Sequence, residues 1–160
     1  MNLSLHLDII GRLSGGHRRQ FEDTYELGAR VGKGAFGCVY RAKRIGGSRA
    51  STGGGGVATG EQVAVKRVLK ERGVKMELIH NEITIWEQLK HPNLVQLLDV
   101  FESDEHLFLV TELMRGGDLF KKLEKVTSFS ESVAARFARQ IVSAVAHLHA
   151  HGVVHCDLKP

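Results

Sequence analysis

The sequence predicts an α+β chain in which strands come first and helices follow. Three observations carry this. Two runs of strand formers flank a glycine string near residue 35, and a third strand alternates at 63–66. Two later segments then repeat apolar residues at spacings of three and four. Composition adds little: 42% hydrophobic and 25% charged residues are ordinary for an ordered globular chain. The net charge of +4 is spread without a long basic block, so no nucleic-acid partner is expected. Cys38 and Cys156 are too few for a disulfide framework and indicate a reducing compartment, cytoplasmic with the nucleus left open. No apolar run approaches membrane-spanning length and the N-terminus lacks a signal-peptide pattern, so no membrane partner is expected.

Residues 1–24 read as a leader of unknown role. Leu3, Leu5, Leu7 and Ile9 alternate with polar residues as an added edge strand would, and an unstructured leader fits equally. Tyr25 to Val31 and Cys38 to Lys43 read as strands joined by Gly32-Lys33-Gly34-Ala35-Phe36-Gly37, a G-x-G-x-x-G string. Glycines let backbone amides approach phosphates with no Cβ in the way, and Val31 and Val39 flank them as apolar cover for a purine. A plain hairpin turn suits the same glycines. A dinucleotide-binding turn suits them less, because Cys38-Val39-Tyr40-Arg41-Ala42 is rich in strand formers where that motif opens a helix. Residues 46–60 contain Gly53-Gly54-Gly55-Gly56, bury too little to offset their ordering, and read as a flexible insertion without assigned function.

In Val63-Ala64-Val65-Lys66, strand alternation sends Ala64 and Lys66 to one side and the valines to the other. A small residue beside a cation leaves room for a nucleotide. A lysine in an apolar strand is costly unless paired, and Glu82 supplies a carboxylate. In the helix expected from about Lys75 to Leu89, Ile79, Ile83 and Trp86 form a stripe, and Glu82 is expected within it. Taken singly, Lys66 fits a strand-end surface lysine and Glu82 a boundary glutamate. Together, after a glycine loop, they read as a phosphate-handling pair. From Ser130 to Ala150, Val133, Phe137, Ile141, Val145 and Leu148 describe an amphipathic helix with Ser130 as N-cap and Gly152 ending it. His147 and His151 share a helix face, but His149 points elsewhere and no Cys or carboxylate completes a ligand set, so no metal site is expected.

On these motifs, residues 25–160 resemble the eukaryotic protein kinase family. Val63-Ala64-Val65-Lys66 is similar to its V-A-I-K strand, which implies that Lys66 holds the α- and β-phosphates and Glu82, on helix C, orients it. His91-Pro92-Asn93-Leu94-Val95 resembles the turn into strand four, and Leu107 to Met114 the fifth strand and hinge. The resemblance implies Thr111 as gatekeeper, Glu112 and Met114 as backbone partners of adenine, and Asp118 as a ribose contact. His155-Cys156-Asp157-Leu158-Lys159-Pro160 resembles the opening of the catalytic loop, with Asp157 taking the hydroxyl proton and Lys159 meeting the transferred phosphate. Lys159 follows the Ser/Thr pattern. Cys156 stands where the family usually has Arg, which puts control by activation-segment phosphorylation in doubt. His155 is expected to pack at the base of the loop.

The implied organisation is a kinase-like N-lobe and hinge over 25–114, a sheet plus helix C, and the first helices of an incomplete C-lobe over 115–160. The phrases around Glu82, His91 to Glu102 and Glu112 to Phe120 resemble most closely the calcium/calmodulin-dependent group, which brings in calmodulin as a partner by resemblance alone. The implied activity is transfer of the ATP γ-phosphate to a protein Ser or Thr, with Mg2+ whose ligands are expected beyond Pro160. A chain stopping there is expected to be inactive by itself. The alternative is a non-catalytic kinase-like module that binds nucleotide or a partner.

Overall fold

The computed structural model describes residues 20–34, 37–46, 59–70 and 75–159. The alternation expected at Leu3 to Ile9 and most of the insertion at 46–60 lie outside them. The chain divides into two compact units, one comprising residues through Gln88 together with Gln96–Leu113, the other Leu89–Val95 with Met114–Pro160.

The first unit holds a one-turn helix α1 (Phe21–Thr24), strands β1 (Tyr25–Gly34), β2 (Gly37–Arg44) and β3 (Gln62–Leu69), helix α2 (Met76–Gln88), and strands β4 (Leu97–Glu102) and β5 (His106–Glu112). The strands form one antiparallel sheet in the order β1-β2-β3-β5-β4. Strand alternation divides its apolar side chains between two faces. Val63, Val65, Phe108 and Val110 pack on one side with Phe21, Tyr25 and Phe101, where the Phe21 and Phe108 rings stack at 4.5 Å. Val68, Leu107 and Leu109 turn to the other, where α2 covers them with Ile83, Met76, Ile79 and Trp86. Helix α2 thus forms because its apolar residues recur at helical spacing and find a sheet face to cover.

The glycine string is shorter as a loop than the sequence suggests. The β1–β2 ladder continues through Gly32, Lys33 and Gly34, and Gly34 pairs with Gly37. Glycine removes a side chain but keeps both backbone hydrogen-bonding groups, so the ladder runs on into the turn. Gly37 is required by packing: a Cβ built there would lie 2.1 Å from the Arg67 carbonyl oxygen of β3.

The second unit contains α3 (Leu119–Val126) and α4 (Glu131–Ala150). Ser130 caps α4 as expected, its hydroxyl accepting from the Val133 N–H at 3.4 Å. Past the helix end Gly152 adopts a left-handed φ of 71° and donates to the His149 carbonyl at 3.0 Å. Among the described residues no helix is long and apolar enough to cross a membrane.

Candidate functional site

The sheet register assembles the first part of the site. Lys66 pairs with Val39 on one side and Leu109 on the other, while Ala64 pairs with Arg41 and Thr111. Gly32 pairs with Val39 in turn. Residues opposite one another across a ladder share a face, so Gly32, Val39, Lys66, Ala64 and Thr111 form a strip on the α2 side of the sheet. All five are half-buried. The strip carries glycine backbone, a branched apolar residue, a cation and a small residue side by side. Val31, Lys33 and Gly34 are exposed, and Ala35 and Phe36 lie outside the described residues.

Glu82 does not sit where the sequence reading put it. It is exposed, and among the described residues no ion pair joins it to Lys66. The stripe that α2 buries runs through Met76, Ile79, Ile83 and Trp86, and Glu82 falls on its outer flank. On the opposite flank His80 turns inward, its Nε2 3.3 Å from Glu102 Oε2 at the end of β4. The other oxygen of that carboxylate binds the Lys70 ammonium just after β3. The side chains of all three are no more than 20% exposed. Sequence reasoning missed this cluster because its members belong to three separate elements and match no motif.

At the end of β5, Glu112 is fixed at three atoms. Its N–H donates to the Gln96 carbonyl at 3.4 Å, its Oε1 accepts from the Gln96 N–H at 2.9 Å, and the Thr111 hydroxyl donates to its carbonyl at 3.3 Å.

In the second unit Asp157 and Lys159 lie together: Lys159 Nζ donates to Asp157 Oδ2 at 2.9 Å. That bond, and then the lysine charge, hold the Asp157 carboxyl below the usual carboxylate range. The Asp157 N–H donates to His155 Nδ1 at 3.2 Å, while Cys156 between them has a left-handed φ of 59°. His155 is exposed and orders the loop through this bond rather than by packing. Asp118 precedes α3 and pairs with Lys121 at 3.0 Å on an exposed turn, and Met114 is exposed. Lys121 is held above its ordinary value by that hydrogen bond and the Asp118 charge.

His147 and His151 do share a face of α4, with ring centroids 4.3 Å apart. The sequence reading overlooked a third member: the His91 ring lies 5.0 Å from His147, and its Nε2 is 3.1 Å from the Ser143 hydroxyl. His91 stands far from the other two in the chain, so no local spacing reveals it. His91 Nδ1 accepts from the Asn93 N–H at 3.1 Å and His151 Nδ1 bonds the His147 carbonyl at 2.8 Å, so these nitrogens are already engaged. Among the described residues no group of three or more His, Cys, Asp or Glu is arranged to hold a metal ion. The Mg2+ implied by the resemblance therefore finds no ligand set here, and no step below is routed through one.

Comparison with known proteins places this geometry. A family model described as protein kinase domain matches residues 25–160. A probable myosin light chain kinase of Dictyostelium discoideum is 40% identical over 156 residues, covering 96% of this chain and 37% of the relative. CBL-interacting protein kinase 26 of Oryza sativa subsp. japonica is 38% identical, covering 86% of this chain and 26% of its own. Calcium-dependent protein kinase 5 of Plasmodium falciparum is 37% identical over the whole chain and 27% of its own. Among solved structures, a twitchin kinase fragment from C. elegans superposes with a TM-score of 0.73 at 34% identity, over 89% of this chain and 29% of that one. The chain thus spans well under half the length of these relatives.

Proposed function

The chain belongs to the protein kinase family, and on that premise we propose that it supplies the nucleotide-binding lobe and catalytic-loop start of an ATP-dependent protein serine/threonine kinase. One observation carries the reading. The sheet register brings Gly32, Val39, Ala64, Lys66 and Thr111 onto one half-buried strip, so glycine backbone, purine cover, phosphate cation and gatekeeper adjoin as nucleotide binding requires.

In the reaction a substrate hydroxyl oxygen attacks the γ-phosphorus, the bond to the β,γ-bridging oxygen breaks, and ADP leaves. Asp157 accepts the hydroxyl proton. Its bond to Lys159 keeps the carboxylate ionised at neutral pH, and Lys159 is near enough to offset charge on the transferred phosphoryl group. Lys66 meets the α- and β-phosphates, and Glu82, exposed in the structure, is its proposed orienting partner. Glu112 and Met114 offer backbone to adenine, with Asp118 at the ribose. Mg2+, where bound, would offset the negative charge of the phosphates, and the described residues form no ligand set for it. The names of relatives that refer to calcium support calcium-linked control, with calmodulin one candidate partner, and two free cysteines support a cytoplasmic setting.

Two variants of the full-length protein test the reading. Lys66→Met should abolish phosphoryl transfer with little change in stability, because Lys66 has no ion-pair partner among the described residues whose loss would cost the fold. Asp157→Asn should leave nucleotide affinity intact while turnover falls by about 10²–10⁴. Wild-type turnover in the lysine variant would refute the nucleotide assignment. Parallel loss of affinity and turnover in the asparagine variant would make Asp157 a structural residue.

A further inference from the structure

The end of β5 departs from a regular ladder at one atom. In an antiparallel pair of the hydrogen-bonded kind, two opposite residues exchange both backbone bonds, N–H to carbonyl in each direction. Gln96 and Glu112 stand opposite each other one step beyond the Leu97–Thr111 pair. The first bond of their exchange is made, from the Glu112 N–H to the Gln96 carbonyl at 3.4 Å. The second takes another route: the Gln96 N–H donates to the Glu112 side chain, whose Oε1 accepts it at 2.9 Å. An ionised carboxylate is a stronger acceptor than an amide carbonyl, so here it displaces its own backbone from the ladder. The Glu112 carbonyl accepts instead from the Thr111 hydroxyl at 3.3 Å. A carbonyl oxygen accepts twice, so Thr111 does not exhaust it. This oxygen follows directly on the strip that carries Ala64, Lys66 and Thr111.

We propose that Glu112 is, through its carboxylate, a positioning residue for the nucleotide: by taking the Gln96 N–H, the side chain keeps the Glu112 carbonyl out of the sheet and free to accept the 6-amino group of adenine. This rests on reading the Glu112 backbone as a partner of adenine, and it adds a role for the side chain. A carbonyl only accepts, so it favours a purine that carries an N–H donor at position 6 and gains nothing from one that does not. Gln96, Thr111 and Glu112 all belong to the sheet-bearing unit, so the tether is internal to it. With an apolar side chain at position 112, the Gln96 N–H turns to the acceptor that a regular ladder provides, the carbonyl of the same residue. The ladder then gains one bond, and that bond competes with adenine for the oxygen.

The test compares ATP with purine riboside triphosphate, which lacks the 6-amino group and is otherwise the same molecule, as substrates of the full-length enzyme. The wild type should prefer ATP in kcat/KM by about three- to tenfold, the scale of one hydrogen bond, with the difference lying in KM. Glu112→Ala should bring that ratio down to about one. Glu112→Gln keeps an amide oxygen for the Gln96 N–H and should hold the ratio near the wild-type value, whatever its overall rate. A side chain that only supported the fold would change both substrates together and leave the ratio where it was. An unchanged ratio in Glu112→Ala, or the same collapse in Glu112→Gln as in Glu112→Ala, would overturn the proposal. If Glu112→Ala does not fold, Glu112→Met, of similar length but without an oxygen, takes its place with the same expectation. A wild-type ratio of about one would overturn the adenine reading and the proposal with it, whereas a wild-type preference that survives in Glu112→Ala refutes the part of the side chain alone.

Discussion

In the sheet-bearing unit Val63, Val65, Leu107 and Val110 are no more than 1% exposed, whereas the helical unit buries only Leu89, Ala144 and Leu148 among its described residues and leaves Val142 of α4 65% exposed. The two units position chemistry by different means. Lys66, Ala64 and Thr111 are placed by a sheet packed on both faces, so their spacing is as rigid as the ladder. Asp157 and Lys159 are placed by short-range polar bonds, from Lys159 Nζ and from the Asp157 N–H to His155. Damage should therefore spread through the first unit and stay local in the second.

The largest expected effect follows from that contrast. Val65→Asp buries an unpaired carboxylate between β2 and β5 in the aromatic cluster and should cost more than about 4 kcal/mol, enough to unfold the sheet unit. Val142→Asp on the exposed face of α4 should stay within about 0.5 kcal/mol. Denaturant unfolding monitored by circular dichroism measures both. Equal losses would show that the α4 surface is buried in solution and that the contrast between units is wrong.

A smaller pair of effects sharpens the comparison at two glycines. Gly37→Ala places a Cβ 2.1 Å from the Arg67 carbonyl oxygen, a backbone atom in mid-ladder, so β2 and β3 must separate there. It should cost more than about 2 kcal/mol and weaken nucleotide binding, because the displaced strand carries Val39. Gly152→Ala meets nothing within 4 Å and pays only for its left-handed φ of 71°, about 1 kcal/mol. Thermal midpoints of the two variants should rank in that order. The reverse order would mean that the sheet edge yields more easily than its ladder implies.

What the sequence made legible divides along the same line. Val63-Ala64-Val65-Lys66 announced a strand and the sidedness of its lysine, because a period of two is written into the residues themselves. Helices α2 and α4 were legible for the same reason, as was the Ser130 cap. Which flank of α2 turns inward was not. The stripe of Ile79, Ile83 and Trp86 is compatible with either Glu82 or His80 at its edge, and the choice depends on Glu102, twenty residues further along the chain. The third histidine, His91, escaped in the same way. Helix α3 was missed because its eight residues follow a glycine pair and carry four charges, a pattern that reads equally well as loop. Local periodicity is a property of one segment; polar contacts between segments are a property of the fold.

The smallest expected effect concerns the helical unit alone and its three neighbouring imidazoles. Burial first, and then the charges of His151 and His91, hold the His147 imidazole below its ordinary value, and its Nε2 is shielded from solvent without a hydrogen-bond partner. A base lowered in the folded state binds fewer protons there than in the unfolded chain, so stability rises with pH through that interval. Its contribution is fully present above the ordinary imidazole range of about 6.5 and is lost as pH falls through the lower folded value. The helical unit should therefore weaken on acidification. His147→Phe, which keeps a ring between His91 and His151 but cannot titrate, should flatten that loss. Hydrogen exchange of α4 amides at about pH 7 and pH 5, corrected for intrinsic rates, measures it in wild type and variant. Protection that grows in acid, or an identical fall in both proteins, would show that the unprotonated His147 ring is not what the histidine cluster favours.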